Sequence, residues 1–277
     1  MMTDTKSKKM QTLSEWVIAG SLVGQYVFTL ESVENEFPQM SVENRRVSLS
    51  RLVRRGEIVS PWRGFYVTVP TEYKLKGEVP PVFWMDALMK HLGRDYYVSL
   101  LSAAEFYGAA HQRPMTFSVM VQGTALRSGV KNGYELVFMR KESLPMDFVR
   151  TFPTQMGTLN VSSPELTALD LVDCQEKVGG LNRVSTVLSE LVEQMDWEHI
   201  DSKLLSRYSA PVVQRLGYIL EKILEETNQA DTLLRKAKDS GIVMRPVPLK
   251  LGMECKNCDA DRRWQILKNM KIEIDEI

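Results

Sequence analysis

The chain has no net charge, few cysteines and no long apolar run, and each of these absences excludes a class of protein. Its 35 basic and 35 acidic residues cancel, so nothing in the overall charge points to nucleic acid. No run approaches the roughly 18 apolar residues of a membrane span. The start, MMTDTKSKKM, lacks the apolar core of a signal peptide. The three cysteines, an odd number, argue against a disulfide framework and agree with a reducing compartment. We therefore expect a soluble, cytoplasmic protein.

The length and composition indicate more than one domain. With 277 residues and 44% hydrophobic content, the chain can bury one or two sizeable cores, and two or three domains are expected. Proline and glycine cluster in the polar run PTEYKLKGEVPP, residues 70–81. Because proline interrupts both helices and β ladders, we expect a linker here and a boundary near residue 75. The predicted domains are residues 1–75 and 76–277.

Three helices are predicted before this linker. Thr12–Glu15 has the spacing of a capping box, Thr29 can cap a second helix that ends at Pro38, and Ser41 can cap a third. Gly56 ends the third helix, because glycine adopts the left-handed conformation at low cost. The apolar residues predicted to anchor the first and third helices are Trp16, Val17, Leu22, Val42, Leu49, Leu52 and Val53.

A short β-ribbon is predicted directly after the third helix. Two β-rich runs, residues 57–60 and 65–69, are joined by the hairpin-like turn Pro61-Trp62-Arg63-Gly64. Trp62 has two equally supported roles, contact with a nucleic-acid backbone or packing against its own ribbon. Three helices followed by a ribbon are the outline of a winged helix-turn-helix, and the pattern therefore indicates DNA binding.

Local charge supports this interpretation although the whole chain is neutral. Six arginines and two glutamates lie between Ser41 and Tyr66, a local excess of +4 over 26 residues. Arginines clustered on a helix and the following turn are typical of phosphate contact. The alternative is an ordinary solvated helix, whose arginines only keep the surface soluble.

The winged-helix hypothesis assigns a role to each polar residue of this segment. The third helix enters the major groove with its N-terminal half nearest the bases, which favours Asn44, Arg45 and Ser48 as base readers. Arginines farther along the helix position it on the phosphates, and one more lies at the tip of the ribbon. The complete predicted DNA-binding set is Asn44, Arg45, Arg46, Ser48, Arg51, Arg54, Arg55 and Arg63.

Beyond the linker the pattern changes to mixed α and β. A helix is expected over residues 83–91, followed by an apolar segment at 96–107 whose small residues permit close helix packing. Strands are predicted at 116–121, 134–139 and 158–161. Ser163-Pro164-Glu165 has the chemistry of a helix start. The remaining helices are predicted at 181–195, 212–226 and 231–238, with extended segments at 247–251 and 264–267.

Six islands of the sequence, in order along the chain, resemble one known family. They are RGFYVTVP (63–70), PPVFWMDALM (80–89), YYVSLLSAAEFYGAAHQRP (96–114), SSPELTALDLV (162–172), QRLGYILE (214–221) and DRRWQILKN (261–269). Together they are similar to the AbiEi antitoxins, the regulatory half of bacterial abortive-infection toxin–antitoxin pairs.

This resemblance implies a fold, a function and partners. The fold is α+β, with an N-terminal winged helix-turn-helix and a larger mixed α/β antitoxin domain that has a helical C-terminal part. The winged helix represses its own operon at inverted repeats in promoter DNA. The larger domain counteracts a nucleotidyltransferase-like toxin, and, as in type IV pairs, a stable complex with the toxin is not required. No cofactor is implied.

Two other function classes remain open. Glu165, Asp170, Asp173, Glu176 and Lys177 lie close together in the sequence, as in a metal-dependent nuclease, but their helical spacing favours a solvated helix edge. A nucleic-acid-processing enzyme with a winged-helix targeting domain is therefore the first alternative, and a ligand-responsive repressor is the second.

Other candidate sites carry little support. His111 has no serine or cysteine nucleophile beside it, so a loop or core histidine is the favoured interpretation. Cys255 and Cys258 have the spacing of half a zinc site, but no second pair of ligands follows. We expect no enzyme activity, no catalytic residue, no metal and no cofactor.

Overall fold

The computed structural model describes residues 12–109, 114–256 and 258–274. Its backbone contacts divide the chain into two compact units. The first unit consists of Met1–Asp95, Arg127–Leu136 and Phe152–Leu159, and the second consists of Tyr96–Leu126, Val137–Thr151 and Asn160–Ile277. No helix in the described part of the chain has the length and apolar composition needed to cross a membrane.

The first unit begins with three helices and a small antiparallel sheet. Its helices are α1 (Leu13–Leu22), α2 (Leu30–Glu36) and α3 (Val42–Arg54), and a further helix, α4, spans Pro81–Leu92. The strands of this sheet are β1 (Val27–Thr29), β2 (Ile58–Trp62) and β3 (Phe65–Thr68), arranged in the order β1–β3–β2. Both neighbours of β3 are antiparallel to it, with Val27 opposite Val67 and Trp62 opposite Phe65.

Local sequence chemistry places the ends of these helices. The backbone N–H of Glu15 donates to the Thr12 hydroxyl at 3.2 Å, and the Glu15 carboxylate accepts from the Thr12 N–H at 2.8 Å, which completes the predicted capping box. Ser41 accepts from the N–H of Asn44 at 3.2 Å, and Gly56 has a φ of 67° just after α3. These predicted helix boundaries are confirmed.

The predicted anchors of α1 and α3 were partly wrong. Leu49 and Leu52 are buried, but Val42 and Leu22 are 73% and 81% exposed and Val53 is also exposed. Strand β1 was not predicted at all. It supplies Phe28 to the core of the first unit, whose buried members are Leu13, Val17, Phe28, Val33, Leu49, Leu52 and Ile58.

A six-stranded sheet follows in the chain. Its strands are β4 (Tyr96–Val98), β5 (Thr116–Gln122), β6 (Gly129–Lys131), β7 (Tyr134–Lys141), β8 (Val149–Thr154) and β9 (Gly157–Ser162), in the order β6–β7–β5–β4–β9–β8. Strand β4 is antiparallel to β5 and parallel to β9. The strands predicted near residues 116, 134 and 158 are confirmed. The segment 96–107 was expected to be helical, but it begins as β4 and only then forms α5 (Leu100–Ala104).

The second unit buries its apolar surface mainly on helices. They are α6 (Pro164–Asp173), α7 (Gly180–Leu191), α8 (Ser202–Leu205), α9 (Ala210–Tyr218) and α10 (Thr227–Asp239). Three two-residue strands complete the unit, β10 (Val247–Pro248), β11 (Ala260–Asp261) and β12 (Ile266–Leu267), in the order β10–β12–β11. The predicted start of α6 is confirmed, since the N–H of Leu166 donates to Ser163 at 3.3 Å. The fold is thus mixed α and β, as expected.

Helix α9 contains a glycine because a tryptophan ring leaves no space for a side chain. A methyl group on Gly217 would overlap the ring of Trp264, which is fully buried. The indole N–H of Trp264 donates to Glu221 at 2.7 Å, so the ring is held at both its face and its edge. Glycine therefore occupies this helical position despite its poor helix propensity, because a larger residue would overlap the ring.

We predict that Gly217→Ala lowers the free energy of unfolding. The overlap costs about 3 kcal/mol, the upper end of ordinary overpacking, while the higher helix propensity of alanine returns about 1 kcal/mol. Urea denaturation should therefore show a net loss of about 2 kcal/mol. In a Trp264→Leu background the same alanine should cost much less, because the ring is gone. An equal loss in both backgrounds would contradict the proposed overlap.

Candidate nucleic-acid interface

Helix α3 has one face in the core and a basic face in solvent. Leu49 and Leu52 are buried against the first unit, so residues on the remaining faces of the helix point outward. Six of the eight predicted DNA-binding residues are exposed, namely Asn44, Arg46, Arg51, Arg54, Arg55 and Arg63. Ser48 is half-buried on α3. A helix that shows several arginines along its solvent face provides the donors that phosphates and base edges accept.

Arg45 has a different environment from the other arginines. Its side chain is only 14% exposed, and its guanidinium pairs with Glu34 of α2 at 2.7 Å. Its Nε also donates to the carbonyl oxygen of Met40 at 2.9 Å. Arg45 therefore holds the start of α3 against α2.

Arg55, at the other end of α3, is only loosely paired. Its guanidinium is 3.7 Å from the Glu57 carboxylate, and its side chain is 66% exposed. Glu57 also accepts a hydrogen bond from the Ser14 hydroxyl at 3.1 Å. An exposed pair at this distance contributes little stability, so the guanidinium can exchange this partner for another anion.

The β2–β3 hairpin has a two-residue turn, Arg63-Gly64. Gly64 has a φ of 73°, a conformation that favours glycine. The hydroxyl of Ser60 donates to the carbonyl oxygens of Trp62 and Phe65 at 3.0 and 3.2 Å, which braces the two strands. Arg63 is therefore presented at the tip of a supported hairpin.

The hairpin also has a cationic neighbour that sequence reasoning missed. The ammonium of Lys131 lies 5.2 Å from the centre of the Trp62 ring, within the first unit. Neither of the two roles considered for Trp62, contact with a nucleic-acid backbone or packing against its own ribbon, predicted this contact with a lysine of β6. Lys131 lies 68 residues after Arg63, the residue at the tip of the hairpin, so no local sequence pattern predicts its contact with Trp62.

A second polar cluster lies in the second unit, around the buried carboxylate of Asp170. One carboxylate oxygen accepts from Tyr97 at 3.0 Å and from Ser99 at 2.9 Å. The other accepts from the ammonium of Lys141 at 2.5 Å and from Tyr208 at 2.6 Å. Asp170 is 0% exposed, so the prediction that it lies on a solvated helix edge was wrong.

The neighbouring acidic residues do not join Asp170 in a metal site. Glu165 is also buried, against expectation, but its carboxylate accepts from Ser163 and from the N–H of Asp196. Asp173, Glu176 and Lys177 are exposed as expected. In the described part of the chain no three His, Cys, Asp or Glu side chains are placed to hold a metal ion. With four donors on its two oxygens, the Asp170 carboxylate has its accepting positions filled.

The cysteines and His111 can be placed only in part. Cys255 and Cys258, the pair with zinc-site spacing, are joined as a disulfide. Cys174 is a free thiol. His111 lies outside the described residues.

Comparison with known proteins identifies the region that holds the Asp170 cluster. Residues 97–222 match the family of the AbiEi antitoxin C-terminal domain. We call this stretch the AbiEi domain, because its sequence is similar to that family. The resemblance drawn from the sequence islands is confirmed over this region, which contains the islands that begin at Ser162 and Gln214.

A solved structure extends the likeness of fold over most of the chain. The crystal structure of the Rv2827c protein from Mycobacterium tuberculosis has a TM-score of 0.63 and 15% sequence identity. The alignment covers 91% of this chain and 90% of that chain. At this identity the likeness is one of fold alone. No curated protein matches the chain.

We predict that the AbiEi domain depends on the Asp170 carboxylate for stability. Asp170→Asn leaves Lys141 without its buried counter-charge and should lower the free energy of unfolding by about 3–5 kcal/mol. Tyr208→Phe removes one donor to the carboxylate and should cost about 1.5–3 kcal/mol. Both values can be measured by urea denaturation.

Glu176→Gln is the matched control for these variants. This acidic residue belongs to the same sequence cluster but is exposed, so its replacement should change the stability by less than about 0.5 kcal/mol. If Asp170→Asn were as mild as Glu176→Gln, the stabilising role of the cluster would be refuted.

The environment of Cys174 in the AbiEi domain predicts a pH dependence. Burial, followed by the negative charges of Asp170 and Asp173, raises the pKa of its thiol to about 11. Because the folded-state pKa is above the unfolded value of 9.0, this group stabilises the fold below pH 9.0 and its contribution is lost as the pH rises through about 11.

The prediction can be tested with a thiol-alkylating reagent. In a variant in which Cys255 and Cys258 are serine, Cys174 is the one remaining thiol, and its alkylation rate should rise with a midpoint near pH 11. The unfolded chain in urea should show a midpoint near 9.0. A midpoint near 9.0 in the folded protein would mean that the thiol is not shielded.

Proposed function

We propose that the chain is a cytoplasmic antitoxin that represses its own operon. Its first unit binds inverted repeats in promoter DNA, and its AbiEi domain counteracts a nucleotidyltransferase-like toxin without needing a stable complex. The observation that carries the proposal is the arginine-rich solvent face of α3 on the same chain as an AbiEi antitoxin domain. The proposed functional division stays at residue 75.

The order of elements in the first unit supports a winged helix-turn-helix. Helices α1, α2 and α3 are followed by the β2–β3 hairpin, and β1 adds the third strand of a small antiparallel sheet. In that fold α3 is the recognition helix and the hairpin is the wing. The exposed arginines of α3 then face the DNA, while the side chains of Leu49 and Leu52 hold the helix from behind.

The contacts refine the roles proposed for individual residues. Asn44, Arg46 and Ser48, in the N-terminal half of α3, are the proposed base readers, and Arg51, Arg54 and Arg55 contact phosphates. Arg63 contacts the backbone from the wing, and Lys131, beside Trp62 of the same hairpin, is a further cation proposed for this surface. Arg45 acts indirectly, because its pairing with Glu34 sets the position of α3.

For the AbiEi domain we propose an antitoxin role without catalysis. Asp170, the acidic residue with the deepest burial in the predicted nuclease-like cluster, is engaged by four donors, and its partner Lys141 is a counter-charge rather than a base. This arrangement supports a structural role for the cluster. We propose the toxin partner because of the similarity to the AbiEi antitoxins, and none of the residue contacts described above bears on it.

The proposal predicts that Arg46→Gln with Arg54→Gln weakens binding to the chain's own upstream promoter. Each lost phosphate contact makes the dependence of log K on log salt shallower by about 0.9, so the double variant should lose up to about 1.8 in slope. Mobility-shift titrations of the full chain across a salt series measure both the affinity and the slope. Circular dichroism verifies that the variant is folded.

Arg245→Gln with Arg262→Gln is the matched control. Both arginines are exposed in the second unit, and the change in net charge is the same. This control should bind promoter DNA like the unmodified chain. If both double variants lost affinity equally, the effect would reflect net charge and the assignment of α3 would fail.

The same variants separate the two halves of the proposed function. When a nucleotidyltransferase-like protein encoded beside this chain is co-expressed, the full chain should restore growth. Arg46→Gln with Arg54→Gln should restore growth as well, because the AbiEi domain is unchanged. Failure of the unmodified chain to restore growth would refute the antitoxin role.

A further inference from the structure

The first unit contains a cavity of about 860 Å³ beside helix α3. It lies between the start of α1, the connection from α2 to α3, and one side of α3. The residues that line it include Leu13, Phe37, Met40, Arg51, Leu52 and Arg55. Its volume lies within the range of about 300–1,000 Å³ that is common for small-molecule sites. We call it the α3 cavity.

The floor of the α3 cavity is apolar and firmly held. Leu13 and Leu52 belong to the core of the first unit. Phe37 contacts Trp16 edge to face, with the ring centres 6.0 Å apart. The connection from α2 to α3 is fixed by the hydrogen bond from Arg45 to the carbonyl oxygen of Met40. The floor is thus preformed.

The rim of the α3 cavity carries more positive than negative charge. Arg51 and Arg55 line it together with one acidic residue, Glu36. Glu57 does not line the cavity and is the loose partner of Arg55, at 3.7 Å. The hydroxyls of Thr12, Ser14 and Ser48 add neutral hydrogen-bonding groups. Two guanidinium groups above an apolar floor complement an anion with an apolar body.

We propose that the α3 cavity binds a small organic anion with an apolar body, such as an aromatic carboxylate or sulfonate. A DNA phosphate alone would pair with the arginines but would leave the apolar floor in contact with water. An uncharged apolar molecule would cover the floor but would not pair with the guanidinium groups. An anion with an aromatic body satisfies both parts of the cavity.

The ligand also competes with DNA, and this part of the proposal rests on the proposed function. Arg51 and Arg55 are assigned to DNA phosphates, and the same two side chains line the cavity. One guanidinium cannot satisfy both anions fully, so occupation of the cavity weakens promoter binding. At a ligand concentration ten times its dissociation constant, the apparent affinity for DNA should fall on the order of tenfold.

The first experiment titrates the full chain with 8-anilinonaphthalene-1-sulfonate, without DNA. This probe has an aromatic body and one sulfonate, and its fluorescence rises in apolar surroundings. Calorimetry should show one site per chain. Arg51→Gln with Arg55→Gln should weaken binding at least tenfold, since both cations are removed.

Met40→Gln tests the apolar floor independently of the arginines. Met40 has no role in the proposed DNA contacts, so this variant should bind promoter DNA normally while binding the probe several-fold more weakly. Met253→Gln is the matched control, because it makes the same exchange at an exposed methionine in the second unit. It should bind both probe and DNA like the unmodified chain.

A second experiment adds the probe to the complex of the chain with promoter DNA. Displacement that is reduced by Met40→Gln and unchanged by Met253→Gln supports the competition. Probe binding that none of the cavity variants alters would overturn the proposed site. Probe binding at the cavity without displacement of DNA would overturn the competition and leave the site standing. Absence of promoter binding in every variant would instead count against the proposed function, because the probe titration needs no DNA.

Discussion

The second unit depends on the compensation of one buried charge. Asp170 has no contact with water, so its carboxylate is stable only while hydrogen-bond donors surround it. Those donors come from different parts of the chain, because Tyr97 is in β4, Lys141 ends β7, and Tyr208 precedes α9. One side chain of α6 therefore fixes how these elements meet. All of these residues lie within the stretch that matches the AbiEi domain family.

The parts of the fold that local chemistry controls could be predicted from the sequence. Helix caps need only a hydroxyl or carboxylate and an N–H a few residues away, which is why Thr12, Thr29, Ser41 and Ser163 were identified as helix starts. Short runs of β-branched, aromatic and other apolar residues likewise predict β5 and β7. Strands of three residues, such as β1, carry too little pattern to be recognised and exist because a longer neighbour pairs with them.

The parts that depend on distant partners could not be predicted. Arg45 has the same sequence character as Arg46, yet Glu34 and the carbonyl of Met40 hold it inward. Asp170 has the helical spacing of a solvent-facing residue, and only the folded chain brings its donors together. Lys131 reaches Trp62 of the β2–β3 hairpin across many residues of sequence. In each case the residue type was informative, while its role was decided by a contact that tertiary structure creates.

The composition of the first unit has a consequence for the order of folding during synthesis. Besides its N-terminal part, which ends at Asp95, the unit contains Arg127–Leu136 and Phe152–Leu159. A ribosome that has just made Asp95 must therefore add 64 more residues before every segment of this unit exists. At translation rates of about 5–20 residues per second, that interval lasts roughly 3–13 s. A nascent chain shorter than 159 residues therefore already contains α3 and the core residues that hold it, from Leu13 to Ile58, but lacks the last segments of the unit, which are made only together with the first half of the AbiEi domain.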